Sequence, residues 1–186
     1  MKSYSKIKTI DLAYIGMFVA VLTVCAWITI PFTIPFTMQT FGIFITICLL
    51  GTKRSLLTLL IYMLLGFIGL PVFSGFGAGP GVLLGPTGGY LIGFVFTILI
   101  TGSLITRFGR KPPAMILSMI TGLLACYIFG TVWFMLVYTA DTGAVGLLTT
   151  LTLCVFPFII PDMVKIGLSV LIYKRVNTLF TERTFK

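Results

Sequence analysis

Long apolar runs separated by short charged segments constrain the fold of this chain more than any other feature. Of its 186 residues, 58% are hydrophobic and only 9% are charged, whereas a soluble domain carries about 25% charged residues. A soluble domain of this length still exposes about 30% of the surface of its unfolded chain, so it could not hide so much apolar surface. The pattern predicts an all-α integral membrane protein that forms a single domain over residues 1–186.

Six of the apolar runs are predicted to be transmembrane helices, which need about 20 mostly apolar residues. Their approximate bounds are Ile10–Ile30, Gln39–Gly51, Leu56–Leu70, Gly88–Thr106, Pro113–Tyr138 and Pro161–Phe180. The apolar stretch Leu147–Ile160 contains Pro157, and we expect a re-entrant or packed helix there. Pro161 suits the first position of the sixth helix, where its missing N–H costs nothing.

Positively charged residues are concentrated in alternate connections of this six-helix arrangement. Twelve of the thirteen cations precede the first helix, separate the second from the third or the fourth from the fifth, or follow the sixth. They are Lys2, Lys6, Lys8, Lys53, Arg54, Arg107, Arg110, Lys111, Lys174, Arg175, Arg183 and Lys186. The positive-inside rule then predicts that both termini are cytoplasmic in a plasma-membrane protein. Because the cations are scattered, they indicate orientation and lipid contact rather than nucleic-acid binding.

Asp162 and Lys165 remain once the orienting charges are set aside. They are three residues apart, so they share one face of a helix. Ionisable residues at membrane depth are costly and usually face a cavity or mark a functional path. A self-satisfied pair that only orients the helix is one interpretation, and a polar anchor for a small ligand is the favoured one. The pair lies near the outer end of the last helix, so its cavity should open outwards.

The two uncharged outer connections supply further candidate ligand contacts. Eight of the twenty glycines fall between Gly75 and Gly93, in a long loop typical of a lid. The loop could instead be a flexible connector, and Gln39 could cap the second helix rather than touch a ligand. The candidate ligand contacts beside the charged pair are Gln39, Phe73, Gly85 and Tyr90.

An enzyme is not expected, because several of the usual catalytic groups are missing from the sequence. The chain has no histidine, which is the commonest acid/base group at neutral pH and the commonest metal ligand. The four cysteines lie inside apolar runs without a CxxC pair, so we expect them to be buried and predict no metal or cofactor. No GxxxxGK[ST] motif occurs, and ATP hydrolysis would therefore require partner proteins.

Small residues recur on one face of the first helix, at Ala13, Gly16 and Ala20. Such spacing lets another helix approach closely. Packing inside the chain and contact with a partner protein are both compatible with this pattern.

Three segments resemble the BioY family in order and spacing over nearly the whole chain. They are Ile34-Pro-Phe-Thr-Met-Gln-Thr-Phe-Gly, the glycine-rich run Gly69 to Phe94, and Ile160-Pro-Asp-Met-Val-Lys-Ile. The resemblance implies the biotin-binding S component of an energy-coupling factor (ECF) transporter, with six helices and a site open to the outside. It also implies a transmembrane coupling protein and two cytoplasmic ATPases as partners. Ala13, Gly16 and Ala20 match the family's contact with the coupling protein.

Biotin suits the charged pair, since its ureido ring has two N–H donors beside a carbonyl. Asp162 could accept from the donors while Lys165 reaches the carbonyl, or Lys165 could pair with the valerate carboxylate. An S component for thiamin or riboflavin, and a self-sufficient secondary carrier, are the alternative functions.

Overall fold

The computed structural model describes residues 9–142 and 146–184 and consists mainly of helices. The helices are α1 (Thr9–Trp27), α2 (Gln39–Phe67), α3 (Pro80–Leu84), α4 (Gly88–Phe108), α5 (Pro112–Thr142), α6 (Leu147–Cys154) and α7 (Phe156–Thr184). Strands β1 (Thr29–Ile30) and β2 (Phe36–Thr37) form a short antiparallel hairpin in which Thr29 pairs with Thr37. Within the described residues, five helical segments are long and apolar enough to cross a membrane.

Helix α2 reverses its direction at Gly51, whereas the sequence predicts two separate helices joined by a connection. Gly51 has φ +75° and ψ 173°, a conformation that is essentially restricted to glycine. The amide Nε2 of Gln39 lies 2.8 Å from the hydroxyl of Tyr62, although a straight helix would separate these residues by about 35 Å. The two halves of α2 are therefore antiparallel, and one glycine replaces the predicted connection.

The segments rich in cations meet at one end of the bundle, which we call the cation end. The guanidinium of Arg54, just after Gly51, lies 2.9 Å from the carboxylate of Asp11 at the start of α1. Arg110, between α4 and α5, donates from Nη1 to the Cys48 carbonyl at 2.9 Å and to the Tyr173 hydroxyl at 3.1 Å. These contacts join the start of α1, the reversal in α2, the α4–α5 connection and the end part of α7.

The opposite end, which we call the loop end, contains the β1–β2 hairpin and the segment that links α2 to α4. Trp27, at the end of α1, donates from Nε1 to the carbonyl of Pro71 at 2.9 Å. Its ring also lies 5.1 Å from that of Phe76. The predicted long loop is partly helical, because Pro80 occupies the start of α3, where proline is well tolerated.

Helices α4 and α5 pack closely through glycines that leave room for larger neighbours. Gly93 contacts Cys126, and Gly130 contacts the ring of Tyr90. Any side chain at either glycine would overlap these atoms, so the close approach depends on their absence. This packing holds Tyr90 in place at the loop end.

Two predicted helix bounds are wrong at the loop end. The last helix begins at Phe156 rather than Pro161, which lies inside α7. Proline there removes one backbone hydrogen bond, a loss that neighbouring helices can accommodate in membrane proteins. The first helix ends at Trp27 rather than near Ile30, because Thr29–Ile30 pairs with β2 instead.

Candidate functional site

Asp162 and Lys165 form a buried ion pair on α7, one helical turn apart. The Lys165 ammonium lies 2.7 Å from Oδ1 of Asp162, and the two side chains are only 5% and 3% exposed. Two charges removed from water need further hydrogen bonds to offset the cost of desolvation. The neighbouring elements supply these bonds.

Each member of the pair has an additional polar partner from another part of the chain. Tyr127 on α5 donates its hydroxyl to Oδ2 of Asp162 at 2.6 Å. Lys165 donates to the backbone carbonyl of Thr37 at 2.7 Å, and its ammonium lies 4.1 Å from the ring centre of Phe36. Both carboxylate oxygens are thus satisfied, and the ammonium is held by a carboxylate, a carbonyl and an aromatic face.

Hydrogen bonds extend this arrangement from β2 to the segment after α2. The Thr37 hydroxyl donates to Oε1 of Gln39 at 3.1 Å, and Nε2 of Gln39 donates to the Tyr62 hydroxyl at 2.8 Å. Tyr62 in turn donates to the carbonyl of Val72 at 2.9 Å. Gln39 is therefore oriented by partners on both sides, rather than serving as a cap for α2.

A cavity at the loop end brings five of the six predicted ligand contacts together. These five contacts are Asp162, Lys165, Gln39, Tyr90 and Phe73. The other lining residues are Ile34, Pro35, Thr37, Thr40, Ser74, Val82, Thr87, Leu91, Phe94, Leu123, Cys126, Tyr127, Cys154 and Phe158. The cavity thus combines one charged pair with mainly apolar and aromatic walls, which is the usual composition of a small-molecule site.

Gly85, the sixth predicted contact, has a different position. Its carbonyl accepts a hydrogen bond from Nε1 of Trp133 at 3.0 Å, and it is not among the described residues that line the cavity. A side chain on Gly85 would approach the carbonyl of Gly81. Gly85 therefore shapes the turn between α3 and α4 instead of forming the cavity wall.

The cavity is small in this conformation. Its volume is about 70 Å³, enough for about five water molecules at 10–15 Å³ each, whereas ligand pockets usually measure about 300–1,000 Å³. Ile34 and Pro35 from the β hairpin, with Ser74, Val82 and Thr87 from the segment before α4, form part of its wall. A ligand the size of a vitamin could enter only if some of this wall moved.

Aromatic contacts support the wall of the cavity, and Phe158 among them was not predicted from the sequence. The rings of Phe36 and Phe158 stack with centres 6.0 Å apart, and Phe73 packs edge-on against Tyr62 at 5.5 Å. Tyr127, the partner of Asp162, was also missed. Tyrosine usually lies at membrane interfaces, so a tyrosine in the middle of an apolar run was an available signal.

The three small residues of α1 face away from the bundle. Ala13, Gly16 and Ala20 are all exposed, and a Cβ atom added to Gly16 would have no described neighbour within 4 Å. In the described part of the chain, this face of α1 is therefore not used for internal packing.

These features define a multi-pass helical membrane protein with a small cavity near one end, lined in part by a buried ion pair. The sequence model of the BioY family matches residues 1–182, and the chain belongs to that family.

Two relatives cover nearly the same length as this chain. The chain is 36% identical over 171 residues to a probable biotin transporter BioY of Pyrococcus horikoshii, an alignment that spans 91% of this chain and 98% of the relative. It is 37% identical over 170 residues to the biotin transporter BioY of Thermotoga maritima. That alignment spans 90% of this chain and 96% of the relative.

The fold is similar to that of a solved structure, the S-component for biotin from an ECF-type ABC transporter. The TM-score is 0.80 at 26% identity, and the match covers 90% of each chain.

Proposed function

We propose that this chain is the biotin-binding S component of an ECF-type uptake transporter rather than an enzyme. The observation that carries the proposal is the buried Asp162–Lys165 pair in the wall of a small cavity, in a chain of the BioY family. Biotin binds from outside and is delivered inward by the assembled transporter.

In the proposed complex, the ureido ring of biotin exchanges hydrogen bonds with the charged pair. Asp162 accepts from the ureido N–H groups, and Lys165 donates to the ureido carbonyl. A valerate carboxylate bound at Lys165 would instead become a neighbour of the Asp162 carboxylate, because that carboxylate already lies 2.7 Å from the ammonium. Two neighbouring carboxylates repel each other. The aromatic walls then contact the apolar ring and chain of the vitamin.

The proposed topology has six membrane passes and places both termini in the cytoplasm of the cell. The reversal of α2 at Gly51 supports the count of six, since each half of α2 then makes one pass. The concentration of cations at one end supports a cytoplasmic position for that end. The loop end, with the cavity, then faces outwards from the plasma membrane.

The proposed partners are a transmembrane coupling protein and two cytoplasmic ATPases. The exposed face of α1 with Ala13, Gly16 and Ala20 is the proposed contact with the coupling protein, because small residues allow close helix approach. The chain has no nucleotide-binding motif of its own, so the energy for uptake comes from the ATPases.

Biotin binding by the purified chain tests this function. We expect tight binding of labelled biotin that excess unlabelled biotin abolishes and that thiamin or riboflavin leaves unchanged. Mass spectrometry of ligand retained through purification should also detect biotin. Competition by thiamin or riboflavin at similar concentrations would contradict the proposal.

A further inference from the structure

A second and larger cavity lies at the cation end, away from the proposed biotin site. Its volume is about 470 Å³, and it shares no lining residue with the first cavity. It lies between α1, the first half of α2 and the end part of α7. Its lining residues are Tyr14, Met17, Phe18, Cys48, Leu49, Leu50, Arg54, Arg110, Tyr173, Val176 and Asn177.

Two guanidinium groups give this cavity its polar chemistry. In the described part of the chain, Arg110 makes both of its hydrogen bonds through Nη1, to Cys48 and Tyr173. Its ring contact with Tyr173, at 5.4 Å, further fixes the side chain. Since a guanidinium has five N–H donors, Arg110 is held in position with donors to spare.

Arg54 adds a second cation to the same cavity. Its pairing with Asp11 uses Nη2, and its side chain remains 46% exposed. Asp11 is not part of the cavity lining, and among the described lining residues there is no acid. The cavity therefore favours an anion, and paired arginines suit the oxygen atoms of a phosphate.

The remaining walls are apolar and partly open to the surface of the bundle. Phe18, Leu49 and Leu50 line the interior side, while Tyr14 and Met17 are exposed on α1. An aqueous phosphate ion gains nothing from such walls, whereas the glycerol and acyl parts of a lipid can cover them. This combination distinguishes a lipid headgroup from a soluble anion.

We propose that this cavity binds the headgroup phosphate of an anionic phospholipid, with Arg54 and Arg110 as its donors and the apolar walls against its acyl chains. Basic pockets between transmembrane helices at the cytoplasmic side are suited to such headgroups. The assignment to the cytoplasmic leaflet rests on the proposed topology. Binding itself depends only on the cavity.

The test compares lipids retained by the purified full chain, using native mass spectrometry after exposure to phosphatidylglycerol or phosphatidylcholine. We expect wild type to retain phosphatidylglycerol preferentially and inorganic phosphate in excess not to displace it. Arg54→Gln and Arg110→Gln should each lower this retention on the order of tenfold, as expected for loss of a charge-assisted hydrogen bond. The matched control is Arg107→Gln, which removes an exposed cation at the same end and should retain the lipid.

Three outcomes would overturn this inference. They are equal retention of the two lipids by wild type, displacement by inorganic phosphate, and an equal loss in Arg107→Gln. Thermal unfolding of the same samples reports folding of the variants independently of any ligand, and biotin binding is measured beside it. The biotin measurement separates failure of the lipid site from failure of the proposed function, because wild type can retain one ligand without the other.

Discussion

At the scale of single residues, Lys165 and Asp162 depend on each other. Lys165 contacts both the Asp162 carboxylate and the Thr37 carbonyl at 2.7 Å, so removal of the acid would leave a buried cation beside a carbonyl and the Phe36 ring, which are both neutral. Removing one member of a buried ion pair costs about 3–5 kcal/mol. The pair is thus structurally important even before a ligand is considered, and stability must be measured beside affinity.

Asp162→Asn and Lys165→Ala are each expected to weaken biotin binding by about 10- to 100-fold. Each removes a charge-assisted hydrogen bond to the ureido ring, worth about 1.5–3 kcal/mol. Calorimetry at a temperature where the variants remain folded measures the effect, with Arg175→Gln, an exposed cation on the same helix, as the control. Unchanged affinity in both variants would refute the proposed contact.

The double variant Asp162→Asn with Lys165→Met separates the structural role of the pair from its ligand role. No charge is left unpaired, so we expect its free energy of unfolding to lie within about 2 kcal/mol of wild type. Biotin affinity should nevertheless remain lost. If both the stability and the biotin affinity of the double variant were close to those of wild type, the pair would only support the helix.

The charged pair could be predicted from sequence because charges are rare in apolar helices, but its partners could not. Tyr127 and Thr37 are 35 and 128 residues away from the groups that they contact. Such contacts depend on how helices pack, which no local pattern reports. Gly85 does not line the cavity in this conformation, and its contact with the ligand stays a prediction.

At the scale of elements, apolar runs predicted the helices well, while single residues decided where they end or turn. Gly51 replaces a predicted connection because its positive φ reverses the chain in one step. Pro161 does not start the last helix, because α7 already begins at Phe156 and includes the apolar residues before the proline. Hydropathy indicates which residues avoid water, but it does not indicate the backbone conformation at which a helix begins or reverses.

Gly51→Ala is expected to destabilise the protein by about 1–3 kcal/mol, because a side chain is strained at this φ and ψ. Gly16→Ala is the matched control, since Gly16 is an exposed helical residue where an added Cβ atom would meet no described neighbour within 4 Å. Thermal unfolding in detergent measures both. Equal melting temperatures for wild type and Gly51→Ala would argue against a reversal at this residue.

At the scale of the whole molecule, the two ends differ in charge and in the cavity that each contains. We predict that an impermeant maleimide added to intact cells labels Thr33→Cys, in the exposed hairpin at the loop end. Lys111→Cys, exposed in the α4–α5 connection, should react only after the cells are opened. The native cysteines are all buried and should contribute little background. The reverse labelling pattern would overturn the proposed orientation.

Binding and transport are separable if the proposed coupling surface is correct. Gly16→Leu places a large side chain in the centre of the exposed small-residue face of α1, where it would keep a partner helix at a distance. Biotin affinity of the isolated chain should stay within about twofold of wild type, because Gly16 does not line the proposed biotin cavity. Biotin uptake by cells that contain the coupling protein and ATPases should fall at least tenfold. Thr121→Leu, on the exposed face of α5, is the matched control and should retain uptake. If both variants transport like wild type, the coupling protein must contact another face of the bundle.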